Sequence, residues 1–285
     1  VVNAMAEGNV LQTIFFAIVF GIGLAIVKEN GEEHIQKGAT MIFDFVETSA
    51  EVMFKIVWGV MEYGVIGVFA LMAGVFAESG LDVIVPFSKL IGGLLLAVIV
   101  HITIVYLFII VGGFLKRSPM SFLSGAKDAM LTALSIRSSS GTLPVTMRNA
   151  EENLKIDESI YSFTLPLGAT INMDGTAMYQ GVAAIFAANL IGQTLTIGQQ
   201  MTVILTATLA SVGTAGVPGS GLIMLTMVLT QLGLPLEVVG FVAGIDPILD
   251  RLRTMNNVTG DLAVTSLVAK FNDGIDLDSG VWKSK

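Results

Sequence analysis

Residues 164–192 read "TLPLGATINMDGTAMYQGVAAIFAANLIG", which has the length and the apolar character of a membrane-spanning helix. Asn172, Asp174 and Gly175 lie near its middle. A carboxylate inside a membrane helix is costly and usually faces a cavity or a partner, and all three residue types are weak helix formers. The stretch therefore predicts a membrane helix that is unwound at its centre.

An unwound centre has a chemical use. In a continuous helix Asn172 and Asp174 would point about 200° apart, so they share a face only if the helix breaks. A break frees backbone carbonyls next to the carboxylate, and transporters use such sets for sodium ions or protons. The pattern favours a cation site, and a plain kink with a capping aspartate is the alternative.

The composition is that of an integral membrane protein. The 285 residues are 53% hydrophobic and 13% charged, whereas soluble domains carry roughly 25% charged residues. The formal net charge of −8 says little about partners, because the side of the membrane on which positive charges lie matters more than their sum. The absence of cysteine excludes disulfides, thiolate metal sites and cysteine nucleophiles. We expect His34 at the surface and His101 packed against helices, rather than a metal site.

Apolar segments recur along the chain at lengths near the roughly 20 residues that a bilayer core requires. The sequence predicts helices at Val10–Val27, Gly38–Ala77, Phe87–Phe114, Ser159–Leu190 and Glu237–Lys270, with a polar loop at Gly31–Lys37. This pattern indicates an all-α, polytopic membrane protein.

Two segments are too short for full crossings. Gly- and Pro-rich sequences, "RSSSGTLP" and "SVGTAGVPGSG", separate their arms, which are predicted at Ser121–Ile136 with Val145–Lys155 and at Gln199–Ala210 with Leu222–Leu232. Helices break at such centres, and non-helical backbone at membrane depth is buried or lines a cavity. We predict two re-entrant helical hairpins, and two loops in water are the alternative.

Positive charge indicates the orientation. Residues 192–240 contain no Lys or Arg, whereas the base of the first hairpin carries Lys116, Arg117, Lys127, Arg148 and Lys155. By the positive-inside rule the first hairpin enters from the cytoplasm, the second enters from outside, and the carboxyl terminus is cytoplasmic. Matching interrupted segments in two halves indicate inverted repeats and mark a transporter's binding site.

The last predicted helix carries a polar stripe. At 100° per residue, one face collects Asp246, Asp250, Arg253, Thr254, Asn257 and Asp261. Arg251 lies off this face, about 100° from Asp250. Both charge signs on one face suit a zwitterionic ligand, with a carboxylate for an ammonium group and an arginine fork for a carboxylate. An ion pair of Asp250 with Arg253 that only stabilises the helix is the alternative.

Four ordered motifs, "SSSGTLPVT", "INMDGTAMY", "GTAGVPGSG" and "DRLRTMNNVTGD", resemble the dicarboxylate/amino acid:cation symporters, which include the archaeal aspartate transporters and the excitatory glutamate transporters. The resemblance covers nearly the whole chain. The family's first three helices and the start of the fourth have no counterpart here, so we expect the carboxyl-terminal portion of a larger membrane protein. The resemblance implies a homotrimer in which a transport domain moves like an elevator against a scaffold.

The resemblance also implies domain limits. Residues 1–80, the end of the fourth helix and the fifth helix, belong to the trimerisation scaffold, and residues 87–285 form the transport domain. Within the transport domain it implies a sixth helix at 87–115, hairpin one at 119–155, a broken seventh helix at 159–190, hairpin two at 198–233 and an eighth helix at 237–270.

Site residues follow from the same resemblance. Substrate contacts fall on Arg137, Ser138, Ser139, Thr176, Val217, Gly221, Asp250, Arg253, Thr254 and Asn257. Asp250 would hold the amine of the substrate, and Arg253 its side-chain carboxylate. One sodium falls at Gly168, Asn172, Asn257 and Asp261, a second at Thr170, Ser211, Val212 and Thr214, and a third at Asn172 and Asp174 with partners on a helix absent here. Family members often carry a basic residue at either position 137 or position 251, and this chain has Arg137 and Arg251.

The resulting prediction is a sodium-coupled symporter of L-aspartate or L-glutamate in the cell membrane, with no enzymatic activity, no organic cofactor and no nucleic-acid partner. The alternative is a proton-coupled glutamate or C4-dicarboxylate symporter, although Asp250 disfavours a dicarboxylate without an amine. An intramembrane protease is disfavoured because Asp250 and Asp261 lie about three turns apart on one helix. A dedicated anion channel would not need an amine-binding aspartate.

Overall fold

The structure is a computed structural model that describes residues 10–214 and 216–283. Within these ranges the chain forms helices and no β-strand, which confirms the all-α prediction, and one isolated bridge joins Ile156 to Ile275. The chain folds as two compact units that meet in sequence between Leu71 and Met72. The outer limits of the predicted domains, residues 1 and 285, lie outside the described residues.

The first unit contains helix α1 (Val10–Asn30) and most of helix α2 (Glu33–Ser79). The predicted polar loop Gly31–Lys37 is wrong, because α2 already begins at Glu33. Lys37 Nζ donates to Glu33 Oε1 at 2.7 Å, and this i,i+4 pair stabilises the first turn.

The second unit begins with a long apolar helix. Helix α3 (Ile84–His101) continues without interruption into a π-helical stretch, Ile102–Leu115. With the preceding 3₁₀ turn they form the 36-residue helix Gly80–Leu115, the one helix among the described residues that is long and apolar enough to cross a bilayer. Leu90 and Leu94, one turn apart, are fully buried, so one face packs on the core.

Hairpin one consists of helices α4 (Pro119–Ile136) and α5 (Ser139–Arg148). Arg137 ends α4 in a left-handed conformation, with φ 58°. Ser138 caps α5, because its Oγ accepts the Gly141 N–H at 2.9 Å.

The second arm of hairpin one begins at Ser139, so the predicted start at Val145 is wrong. Pro144 predicts a break but lies inside α5. Proline removes one backbone hydrogen bond, and here the Ser138 cap and the burial of Thr142 in the same helix outweigh that loss. The helix therefore extends to the tip of the hairpin.

The break in the opening stretch is confirmed. Helix α6 (Glu158–Ile171) ends where Asn172 leaves the helical region, with ψ 72°. Helix α7 (Asp174–Leu190) begins after Met173, whose ψ is 44°. Asp174 therefore lies at the start of a helix, beside the backbone groups of both helix ends that have no partner within their own helix.

Hairpin two consists of helices α8 (Ile197–Val212) and α9 (Ser220–Gln231), close to the predicted arms. Residues 213, 214 and 216–219, which lie between them, are not helical, and Gly219 adopts a left-handed conformation with φ 78° that favours glycine. Thr196 and Gln199 form a reciprocal capping box at the start of α8.

The predicted single helix Glu237–Lys270 is wrong, because helix α10 (Glu237–Ala243) and helix α11 (Asp246–Phe271) are separate. Pro247 lies in the first turn of α11, where a missing N–H is tolerated. Gly244, between the two helices, packs directly against the Met72 side chain.

Helix α11 lies at the centre of the second unit. It packs against hairpin one, both halves of the broken helix and the π-helical stretch. Its polar stripe therefore faces protein, as ionisable groups in membrane helices generally do.

Candidate functional site

The polar stripe of α11 is buried, and Asp250 and Arg253 are each 2% exposed. Arg253 Nε donates to Asp250 Oδ1 at 2.9 Å, and its Nη1 donates to Asp246 Oδ1 at 3.2 Å. The guanidinium lies 4.5 Å from the centre of the Tyr179 ring. Its Nη2 has no hydrogen-bond partner among the described residues, so the arginine keeps a donor for a ligand.

A small cavity adjoins this ion pair. Its volume is about 10 Å³, which is room for about one water molecule. Eight of the ten predicted substrate residues line it: Arg137, Ser139, Thr176, Val217, Asp250, Arg253, Thr254 and Asn257. The remaining lining comes from Met173, Gly216 and Ser220. Hairpin one, α7, hairpin two and α11 thus converge on one point.

The other two predicted substrate residues contact the site without lining the cavity. A Cβ on Gly221 would lie 2.4 Å from Arg253 Nη1, so glycine allows α9 to approach the guanidinium. Ser138 Oγ donates to the Gly216 carbonyl at 2.7 Å. Both residues belong to hairpin tips that surround the cavity.

The tip of hairpin two is closed over the cavity. The Gly216 carbonyl also accepts the Ser140 N–H at 3.2 Å, and the Gly219 N–H donates to Asp250 Oδ2 at 3.1 Å. A Cβ on Gly216 would lie 2.5 Å from Ser140 Oγ. Hairpin one therefore holds this tip on one side, and α11 holds it on the other.

Four predicted sodium ligands meet where the broken helix is unwound. Asn172 Nδ2 donates to Asp261 Oδ1 at 2.9 Å and to the Asn257 carbonyl at 3.4 Å. A Cβ on Gly168 would lie 2.6 Å from Asp261 Oδ1, and Asp261 is 4% exposed. Buried carboxylate and carbonyl oxygens of this kind suit a hard cation.

Asp174 belongs to an adjoining hydrogen-bond cluster, which the Gly175 N–H links to Asn257 because it donates to both side chains. Its Oδ2 accepts a hydrogen bond from the Tyr106 hydroxyl and contacts His101 Nε2 at 2.8 Å, and its Oδ1 accepts from Asn256 Nδ2 at 2.9 Å. Sequence reasoning expected only packing for His101 and missed the other two partners. The available signal was a histidine and a tyrosine five residues apart in the most apolar helix. Asn172 lies next to this cluster, because a Cβ on Gly260 would contact both the Tyr106 hydroxyl and Asn172 Nδ2, although no hydrogen bond among the described residues joins Asn172 to Asp174.

The predicted second sodium set is not joined by side-chain hydrogen bonds. The hydroxyls of Thr170, Ser211 and Thr214 each donate to a carbonyl three or four residues earlier in the chain. Ser211 and Thr214 are buried, whereas Thr170 and Val212 are exposed. What these positions offer a cation is therefore their backbone carbonyls, which lie around the end of α8 for Ser211, Val212 and Thr214 and near the end of α6 for Thr170.

The two basic residues singled out beside the site have different positions. Arg137 lines the cavity. Arg251 instead donates from Nη1 to the Leu134 carbonyl at 2.7 Å and to the Ser135 carbonyl at 3.3 Å. Arg251 thus satisfies the last carbonyls of α4, as basic side chains at helix ends do.

Comparison with known proteins places these features in a family. The sequence model described as the sodium:dicarboxylate symporter family matches residues 1–271. The chain is 41% identical over 282 residues to excitatory amino acid transporter 3 of Mus musculus, covering 95% of this chain and 51% of that protein. It is 42% identical over 257 residues to excitatory amino acid transporter 2 of Homo sapiens, covering 89% and 43%.

The chain is also 39% identical over 277 residues to an excitatory amino acid transporter of Caenorhabditis elegans, covering 95% of this chain and 52% of that protein. It spans about half the length of the curated relatives that it matches. The matched residues include the broken helix, both hairpin tips and the stripe of α11. With a match over nearly the whole sequence and these elements assembled around one cavity, the chain belongs to the sodium:dicarboxylate symporter family.

Proposed function

We propose that this chain comprises the transport domain and part of the scaffold of a secondary active transporter that carries acidic amino acids together with sodium. The observation that carries the proposal is the buried pair of Asp250 and Arg253, enclosed by the tip of hairpin two. Family membership and the similarity to excitatory amino acid transporters support amino acid transport.

The substrate chemistry follows from this pair. Arg253 offers a planar fork for the side-chain carboxylate of aspartate or glutamate. Asp250 accepts the amine, and Thr254 and Asn257 add hydrogen bonds. In the structure Arg253 and Asp250 form an ion pair with each other. Substrate binding therefore replaces this pair with ion pairs from Arg253 and Asp250 to the substrate.

Hairpin two is the gate in this proposal. A cavity of about 10 Å³ is too small for an amino acid, so the tip has to move before a substrate enters. Opening breaks the hydrogen bonds of Gly216 with hairpin one and of Gly219 with Asp250. Reclosure over a bound amino acid and sodium excludes water from the site.

Sodium coupling rests on the oxygens at the unwound segment. Gly168, Asn172 and Asp261 meet there, and Asn257 contributes to both this set and the substrate cavity. A further sodium would use the carbonyls at the end of α8, and Asp174 would contribute to a third. Because α11 carries ligands for both cargoes, we propose that neither is carried alone.

The larger-scale mechanism is proposed from the family. The chain lies in the cell membrane with a cytoplasmic carboxyl terminus, and both hairpins are re-entrant. Residues 1–80 belong to the scaffold of a homotrimer, and residues 87–285 move as an elevator against it. The protein acts as a carrier and not as an enzyme.

Proton coupling is the second candidate, and the His101 contact with Asp174 favours it. Histidine side chains serve as proton shuttles in proteins. Plain C4-dicarboxylates fit less well, because they have no amine for Asp250.

Calorimetric titration of the detergent-purified protein with L-aspartate tests the function. One titration is in sodium, and another is in choline at equal ionic strength. We expect binding only in sodium, and loss of binding in Asp250→Asn but not in Asp82→Asn, which removes an exposed carboxylate. Binding that ignores sodium and follows pH would favour the proton-coupled carrier.

A further inference from the structure

The segment that follows α11, residues 272–283 (the tail segment), folds back over the base of hairpin one. The Asp276 N–H donates to the Lys155 carbonyl at 3.0 Å, and the Asp157 N–H donates to the Gly274 carbonyl at 2.9 Å. Ile156 and Ile275 form an isolated antiparallel bridge between these bonds. Backbone pairing therefore fixes the register of the tail segment on the turn that ends hairpin one.

Trp282 anchors the far end of the tail segment. It is 4% exposed, and its indole N–H donates to the Leu154 carbonyl at 2.8 Å. Its ring stacks on Phe122 of α4, with 6.5 Å between ring centres. A tryptophan that both fills an apolar site and satisfies its polar edge is a strong anchor.

Glycines in α4 and in the tail segment allow the tail segment to pack closely on hairpin one. A Cβ on Gly125 of α4 would lie 3.1 Å from Val281 Cγ2 and 2.7 Å from Leu154 Cδ2. Gly280 has φ +56°, and a Cβ there would lie 2.4 Å from the Asn153 carbonyl oxygen. A side chain at either position would push the tail segment off the hairpin.

Polar contacts also hold the tail segment at its exposed edge. Arg117, just before α4, pairs with Asp278 at 2.8 Å. Asp276 accepts hydrogen bonds from the Ser279 hydroxyl at 2.6 Å and the Asp278 N–H at 3.0 Å. The Ser279 bond, followed by that of Asp278, lowers the pKa of Asp276.

Helix α4 is consequently held at both ends. At the tip, Arg251 of α11 binds the Leu134 and Ser135 carbonyls. At the base, the tail segment joins α4 to the end of α11 through Trp282. The two contacts, at Phe122 and at Leu134, are 12 residues apart on α4, which is about 18 Å along the helix axis.

Hairpin two has a different base. The backbone hydrogen bonds there are local, from the Gln193 N–H to the Ala188 carbonyl and from the Leu234 N–H to the Leu229 carbonyl. Ile197, at the start of α8, is 80% exposed. Among the described residues, the tail segment therefore holds the base of hairpin one, whereas the backbone hydrogen bonds at the base of hairpin two are local turns.

We propose that the tail segment is a clasp that keeps hairpin one fixed on α11, and that Trp282 is a positioning residue for substrate binding. It acts through α4, which carries Arg137 at its end and is followed directly by Ser139 of α5, and both residues line the cavity beside Asp250. The role in substrate binding rests on the proposed function, whereas the clasp itself does not.

The test uses the whole chain and two substitutions at one site. Trp282→Ala removes the anchor, and Trp282→Phe keeps a ring against Phe122 but loses the indole hydrogen bond. Met120→Ala is the matched control, because Met120 is 71% exposed at the same hairpin base. Hydrogen–deuterium exchange is followed without substrate, and L-aspartate and sodium affinities are measured separately.

In Trp282→Ala we expect exchange of the amides at 119–148 to speed up about tenfold or more, with hairpin two unchanged. The Kd for L-aspartate in saturating sodium rises about tenfold. The Kd for sodium alone stays the same, because the ligands at Gly168, Asn172 and Asp261 lie outside hairpin one. Trp282→Phe changes the exchange rate and the Kd for L-aspartate in the same direction by a smaller factor, and Met120→Ala changes neither.

A tail segment that only adds general stability predicts an even rise in exchange across the second unit, or equal losses of sodium and aspartate affinity. Either result overturns the proposal, as does unchanged exchange in hairpin one. If Trp282→Ala does not fold, Trp282→Phe decides by the same criteria. If the unaltered protein binds no L-aspartate, the proposed function fails, and the exchange measurement still decides whether the clasp exists.

Discussion

At the scale of single residues, Asn257 connects the two predicted sites. Its Oδ1 accepts the Gly175 N–H at 2.7 Å, and its Nδ2 contacts Thr176 Oγ1 at 3.3 Å. Its backbone carbonyl accepts a hydrogen bond from Asn172 Nδ2 at 3.4 Å. Displacing this one residue therefore changes both the oxygens for a cation and the wall of the substrate cavity.

Asp261→Asn tests this connection. The substitution removes a buried charge beside Asn172, so we expect sodium affinity to fall about tenfold or more, since one lost charge interaction is worth about 1.4 kcal/mol or more. By linkage, aspartate affinity measured below saturating sodium falls with it. Titration of L-aspartate across a series of sodium concentrations measures both. An aspartate affinity that stays at its normal value in every sodium concentration would contradict the shared site.

Arg253→Met and Arg251→Met form a matched pair two residues apart. Arg253 is buried in the cavity, so its loss should abolish aspartate binding, whereas neutral amino acids no longer face a competing guanidinium. Arg251 fastens the end of α4, so its loss should weaken aspartate binding several-fold and preserve the preference for acidic substrates. Competition of neutral and acidic amino acids against labelled L-aspartate distinguishes the two. A changed preference in Arg251→Met would place that cation in the site.

Helical periodicity predicted these single-residue positions only in part. The 100° step separated Arg251 from the stripe of Asp250 and Arg253, and the structure places it outside the cavity. Periodicity could not show that Arg251 contacts the end of α4, because that contact joins residues 117 positions apart. The contact of His101 with Asp174, 73 positions apart, escaped prediction for the same reason.

At the scale of elements, sequence reasoning succeeded where weak helix formers cluster. The "NMDG" break and the tip of hairpin two lie where glycine, asparagine and aspartate reduce helix propensity. It failed at single prolines, because Pro144 is tolerated within α5 and Pro247 begins α11. Proline disturbs the helical turn that precedes it but not the residues that follow it. A proline in the sequence therefore does not show by itself whether a helix ends before it, begins near it or continues through it.

Gly216→Ala tests the closed hairpin tips. The added Cβ would lie 2.5 Å from Ser140 Oγ, and overpacking of this kind costs roughly 1–3 kcal/mol. We expect L-aspartate affinity to fall about tenfold or more, because the closed gate is destabilised. Gly198→Ala is the control, since a Cβ there meets no atom within 4 Å. Equal affinities of the two variants would mean that the tips do not close in this way around the substrate.

At the scale of the whole molecule, the distribution of charge and exposed apolar surface favours insertion in a bilayer. Phe45 of α2 and Phe108 of the π-helical stretch are 73% and 65% exposed, which lipid accommodates and water does not. Composition alone predicted this environment. It could not divide the chain between Leu71 and Met72, because α2 continues through that point.

Single cysteines test the predicted orientation, because the chain has none of its own. Thr194→Cys, at the base of hairpin two, should react with a membrane-impermeant maleimide on intact cells. Asn272→Cys, after α11, should react only once the membrane is permeabilised. Both residues are exposed, so burial does not explain a difference, and the cysteine-free chain reports background. The reverse pattern would refute the positive-inside assignment.

The stripe of α11 also has an electrical consequence. Asp246, Asp250 and Asp261 are buried on the stripe, and the arginines at the site are Arg253 and Arg137, so with every one of these groups ionised one of the three negative charges is uncompensated. Moving one elementary charge across a membrane changes the energy by about 2.3 kcal/mol per 100 mV. In the proposed mechanism, sodium ions bound at the stripe would cancel this charge, whereas a carrier that returns without them would expose it to the field. Membrane voltage should therefore act mainly on the empty half of the cycle, and set how fast the carrier is ready for its next substrate.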